Sequence, residues 1–183
     1  GTAGSVVSWI NGGAGLDSVQ ISSGSSFSTL AGGGLADTIR FNDTFAGGTI
    51  YGDAVGVTGS GSGTGGTADG ADLITSTAAI TGAASIYGAG ASDTISFADV
   101  TSTAAAGLLA NGGDAADSIV FLDANATFTA GALTLAGGNG ADTIVLNAAT
   151  AQNAVVVQAG AGQDSVTIES DTALTIAGGA GLD

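Results

Sequence analysis

Eight aspartates stand at the same place in eight glycine-rich segments. They are Asp17 in GGAGLDSV, Asp37 in GGGLADTI, Asp72 in TADGADLI, Asp93 in GAGASDTI, Asp117 in GGDAADSI, Asp142 in GGNGADTI, Asp164 in AGAGQDSV and Asp183 in GGAGLD. Glycine tolerates φ > 0, so a Gly-x-Gly run folds into a tight turn whose carbonyls converge. The aspartate adds a carboxylate at the end of that turn. The result is an all-oxygen pocket of the kind that suits a hard cation such as Ca²⁺.

The spacings between successive aspartates are 20, 35, 21, 24, 25, 22 and 19 residues. A recurring unit of this length is the signature of a solenoid or another repeat array. Each unit carries a strand pattern on both sides of its turn. Counting from the aspartate, position +2 is Val19, Ile39, Ile74, Ile95, Ile119, Ile144 and Val166. Position +4 is Ile21, Phe41, Ser76, Phe97, Phe121, Leu146 and Ile168. Ser or Thr dominates +1, and +3 is mixed. This is the period-2 alternation of a strand with one face buried. Before the turn, position −7 is Ile10, Leu30, Ile86, Ala110, Leu135, Val157 and Ile176. Each unit therefore reads as strand, Gly-Asp turn, strand and second bend, with almost no helix. The second bends are expected at 22–26, 42–48, 98–107, 123–132 and 147–154. An Asx near their starts (Asp43, Asp99, Asp123, Asn147, Asp171) bonds its own backbone. Phe45 and Phe128 are expected to turn inward.

The motif resembles the hemolysin-type calcium-binding (RTX) nonapeptide, G-G-x-G-x-D-x-U-x, where U is a large apolar residue. Asp17, Asp142 and Asp183 end full GGxGxD matches, Asp164 lacks only the first glycine, and the other four are degenerate. The resemblance covers most of the chain. It implies a parallel β-roll with Ca²⁺ between successive turns, and bacterial export to the cell surface or beyond. The family repeats its nonapeptide about every 9 residues. Here there is one per coil, so the expected fold is an all-β parallel β-solenoid of about eight coils with calcium turns on one edge. The candidate ligands are Asp17, Asp37, Asp72, Asp93, Asp117, Asp142, Asp164 and Asp183. Around them stand Gly13, Gly15, Gly138, Asn139, Gly140, Gly160, Gly162, Gly179 and Gly181. Asp69 and Asp114, each three residues before a turn aspartate, offer a further carboxylate.

Eight stacked turns leave seven gaps, and seven Ca²⁺ would bring fourteen positive charges against a formal net charge of −15. Without a cation, carboxylates stacked about 5 Å apart repel one another, so such a roll folds with its metal. The gaps are not equivalent. Leu35, Ala91 and Ala115 stand two before their aspartates, where full matches have glycine, and a β-carbon at φ > 0 costs about 1–2 kcal/mol. The tightest sites are expected among Asp142, Asp164 and Asp183.

Composition limits the alternatives. Of the 16 acids, Glu169 alone is not aspartate, and Arg40 is the only base. A surface built for solubility alone mixes Glu with Lys, so this inventory reads as ligands. With one base, nothing neutralises phosphates, and nucleic acid is excluded as a partner. The chain has no His, Cys or Lys, which removes the usual bases and nucleophiles, and no enzyme activity is expected. No run of about 20 apolar residues predicts membrane insertion. Residues 53–69 (DAVGVTGSGSGTGGTAD) break the rhythm as a Gly/Ser/Thr-rich inserted loop in an otherwise single solenoid segment. The opening strand, Val6–Ile10, and the closing GGAGLD read as half-units within a longer array, which stack on copies of the chain or on adjoining repeats. The expected role is a calcium-binding structural protein of a surface layer, filament or matrix. The alternative is a calcium-rigidified adhesin stalk.

Overall fold

Side chains alternate in and out along every short strand, and the alternation closes on itself around a narrow interior. The computed structural model describes residues 7–22, 27–53, 69–98, 107–128, 132–151, 155–170 and 174–183. None of these is helical. The strands before the turns are β1 (Val7–Ala14), β3 (Phe27–Gly34), β5 (Gly48–Asp53), β7 (Ala84–Ala89), β9 (Leu108–Asp114), β11 (Leu133–Asn139), β13 (Val155–Gly162) and β15 (Leu174–Gly181). Those after the turns are β2 (Ser18–Ile21), β4 (Thr38–Phe41), β6 (Leu73–Ser76), β8 (Thr94–Phe97), β10 (Ser118–Phe128), β12 (Thr143–Ala151) and β14 (Ser165–Ser170).

Odd-numbered strands form one parallel sheet of eight, in chain order, and even-numbered strands form a second of seven. The chain is a parallel β-solenoid. Among the described residues, seven coils carry strands on both sheets, and β15 leads into the turn that ends in Asp183.

The register reproduces the sequence columns. Ile10, Leu30, Ile50, Ile86, Ala110, Leu135, Val157 and Ile176 pair in succession on the first sheet. Val19, Ile39, Ile74, Ile95, Ile119, Ile144 and Val166 do so on the second. Most of these side chains are fully buried, and each buried Ile or Leu contributes about 1.5–3 kcal/mol relative to exposure. Parallel strands of like residues place β-branched side chains on one another, which explains why the columns are so uniform. The Phe column is interrupted at Ser76, whose hydroxyl is satisfied locally by donating to the Ala78 carbonyl at 2.9 Å. Phe45 does turn inward, packing on Phe41 with ring centroids 4.9 Å apart.

Three expectations about the bends are corrected. β10 runs through Asp123 to Phe128 and β12 through Asn147 to Ala151, where bends were expected. The two extensions pair with each other after a register shift between Asp123 and Thr127. Asn147 makes a cross-strand hydrogen bond to Glu169 at 2.7 Å instead of capping a turn. Mutual pairing of adjacent coils thus overrides turn composition there. Asp43 behaves as predicted, accepting from the Thr44 amide at 2.7 Å. Asp53 was assigned to the insertion but belongs to β5, in register with Gly33. Asp69 closes the far side of that segment with a parallel bridge to Leu35. Val6, Asp99, Asp171 and residues 54–68 lie outside the described residues.

Candidate metal centre

The Gly-rich turns line up along one edge because the strands on either side of them are in register. At the position four before the aspartate, Gly13, Gly33, Gly113, Gly138, Gly160 and Gly179 have φ between 108° and 137°. At the position two before, Gly15, Gly140, Gly162 and Gly181 have φ between 137° and 158°. All the glycines expected to shape the turn therefore use a backbone conformation that L residues avoid. Leu35, Ala91 and Ala115 also have positive φ, at 72°, 66° and 80°. They sit in the left-handed α region, and the degenerate turns differ in backbone from the full matches, as their sequences predict.

Seven of the turns deliver their aspartates into one ladder. The Asp17 amide donates to Oδ1 of Asp37 at 2.7 Å, Asp37 to Asp72 at 2.6 Å, and Asp72 to Asp93 at 2.8 Å. Asp93 continues to Asp117 at 2.7 Å, Asp117 to Asp142 at 2.8 Å, and Asp142 to Asp164 at 2.9 Å. Seven aspartates thus form one unbroken ladder in which every bond crosses from a coil to the next. Asp37, Asp72, Asp93, Asp117 and Asp142 are no more than 3% exposed, and Asp164 is 8% exposed.

Only one oxygen of each carboxylate is used. Oδ2 of Asp17, Asp37, Asp72, Asp93, Asp117, Asp142 and Asp164 is buried without any hydrogen-bond partner. A buried carboxylate oxygen left bare is costly, more so when ionised. A β-carbon added at Gly12, Gly32, Gly88, Gly112, Gly137 or Gly178 would collide with Oδ2 of the aspartate five residues later, and one at Gly52 would collide with Oδ2 of Asp72, twenty residues later. Those glycines make room for the carboxylate, a role their place in the motif does not by itself announce. The residue five before Asp164 is Ala159 instead of glycine, and Asp164 is the most exposed of the buried ladder members at 8%.

Burial dominates the acidities. It pushes Asp93 up to about 8 and Asp72 and Asp117 up to about 7. Asp37 and Asp142 are raised for the same reason. In each case the amide of the preceding aspartate pulls the other way, and neighbouring carboxylates push the value further up.

The donor set fits a hard cation: carboxylate oxygens lacking partners, repeated along an edge made of turn backbone. Among the described residues no three acidic side chains gather at one point. An ion held between coils would therefore draw on successive ladder carboxylates and complete its shell with backbone carbonyls. Asp69 and Asp114 stand outside the ladder. Asp114 is exposed and accepts from the Asn139 side-chain amide at 2.8 Å. Asp183 is exposed as well. Asp53, absent from the sequence-derived candidates, is 2% exposed with a bare Oδ2 of its own. Its signal was present in the spacing: Gly13, Gly33 and Asp53 are each 20 residues apart. No family model matches the chain, and no curated protein or solved structure matches it.

Proposed function

We propose that this chain is a calcium-stabilised structural rod of an extracellular assembly, with Ca²⁺ ions held along the aspartate ladder. The reading rests on one observation, the row of buried Oδ2 atoms that no protein group satisfies. Two states relieve such a row: protonation of the acids or binding of cations. Protonation alone wastes the one-sided aspartate inventory, and divalent cations offset both the burial cost and the mutual repulsion. Oxygen-only sites of modest affinity, with Kd about 10⁻⁴–10⁻³ M, belong to extracellular modules, and the RTX resemblance supports export from a bacterial cell. Further coils, from copies of the chain or adjoining repeats, extend the rod along its axis. Asp17, Asp37, Asp72, Asp93, Asp117, Asp142, Asp164 and Asp183 supply the carboxylates, with the best-matched turns, those of Asp142, Asp164 and Asp183, binding tightest.

The test is circular dichroism at neutral pH as EGTA removes divalent ions. The β signal is expected to collapse and to return with millimolar Ca²⁺. A spectrum and a melting temperature indifferent to both additions at pH 8 would show that the ladder works without metal.

A further inference from the structure

Asp53 is a buried acid in a place where no other coil has one. It ends β5 in register with Gly33, at the turn position where neighbouring coils bend with Gly33 or Ala89 at φ 137° and 98°. One of its oxygens accepts from the Gly70 amide at 3.1 Å, and the Gly90 amide lies beside it. The other oxygen is buried without a partner. Asp69 approaches the same spot from the far end of segment 54–68. Its Oδ2 lies 2.9 Å from where a β-carbon on Gly90 would stand. Both carboxylates therefore pack around Gly90, although they are 16 residues apart in sequence.

Capping the Gly70 amide accounts for one oxygen of Asp53. It does not account for the bare one, nor for a second carboxylate brought alongside at the cost of repulsion. The charge on Asp69 is the largest electrostatic opponent of ionised Asp53, adding to the burial that raises Asp53 to about 6. We propose that Asp53 and Asp69 together bind a divalent cation of calcium's type across the base of segment 54–68. This site shares with the ladder only the chemistry of oxygen donors, so either can fail without the other.

Equilibrium dialysis with Ca²⁺ on the full chain counts the ions bound. Asp53→Asn and Asp69→Asn are each expected to lose one ion. Asp43→Asn, which removes an exposed acid that accepts from the Thr44 amide away from the glycine turns, is expected to lose none. Asp142→Asn is expected to lose ladder ions and keep this one. Wild-type binding of a single ion, lost in Asp69→Asn, would support this site while refuting the ladder. Should Asp53→Asn fail to fold, the partly exposed Asp69 decides alone. Undiminished binding by Asp69→Asn, or no binding by the wild type, overturns the proposal.

Discussion

The turns at Asp93 and Asp164 support the same strand pairing with opposite sequences. The first reads Gly88-Ala89-Gly90-Ala91, the second Ala159-Gly160-Ala161-Gly162. Glycine and alanine have traded places. In the Asp93 turn the alanines carry the positive φ, 98° at Ala89 and 66° at Ala91, and Gly88 leaves space for the carboxylate. In the Asp164 turn the glycines take the positive φ, 117° and 154°, and an alanine, Ala159, stands where the other turn has Gly88. Asp93 is 2% exposed and Asp164 8%. A turn here must meet two demands, an easy left-handed backbone and room for a buried acid. These two coils each relax a different one.

The largest expected effect comes from adding a methyl where the Asp164 turn has glycine. In Gly160→Ala the new β-carbon meets the Gly138 backbone and also carries φ 117°. Left-handed strain and overpacking together predict a loss of about 2–4 kcal/mol by chemical denaturation. Gly13→Ala makes the same change where nothing lies within 4 Å, so only about 1 kcal/mol is expected. Equal losses in the two variants would mean that backbone strain alone sets the cost.

A smaller effect concerns pH in the absence of metal. Asp93, Asp72 and Asp117 have folded values of about 8, 7 and 7, against 3.8 when unfolded. The folded chain then binds more protons than the unfolded one, so stability is greatest below pH 3.8 and declines as pH rises through 7 to 8. Asp93→Asn should flatten this decline, measured as the loss of β signal in EGTA as pH is raised from 4 to 9. A metal-free chain that gains stability with rising pH would contradict the burial of these groups.

The smallest effect is a repair. Ala91→Gly removes a β-carbon from φ 66°. The relief of about 1 kcal/mol is partly offset by the greater freedom of glycine in the unfolded chain, leaving a gain of roughly 0.5 kcal/mol. A thermal melt that moves downward would show that the alanine methyl packs usefully there.

Much of this was legible because a solenoid repeats its constraints. Ile39, Ile74, Ile95, Ile119 and Ile144 announce a buried column through identity at a fixed offset. Leu35, Ala91 and Ala115 stand out because glycine is missing where the turn needs it. What escaped were features set by neighbouring coils and not by local composition. The Asn-, Ala- and Thr-rich stretches after Asp123 and Asn147 look like bends, yet β10 and β12 extend there because each offers the other an edge. Asp53 looked like the first residue of a polar insertion, since its local neighbours are those of a loop. Its register partner, Gly33, is visible only by counting coil lengths. The role of Gly88 and its equivalents likewise depends on where a side chain five residues later turns.

The ladder also has a direction. Each aspartate amide gives its hydrogen to the carboxylate of the coil that follows it in the chain, never to the one before. A coil laid down during synthesis therefore waits with an unsatisfied donor until its successor arrives with the matching acceptor. Docking of that successor covers the predecessor's carboxylate and presents a fresh donor in turn. Every coil thus presents a donor on one face and an acceptor on the other, and neighbours match head to tail. A coil added backwards would set donor against donor and acceptor against acceptor.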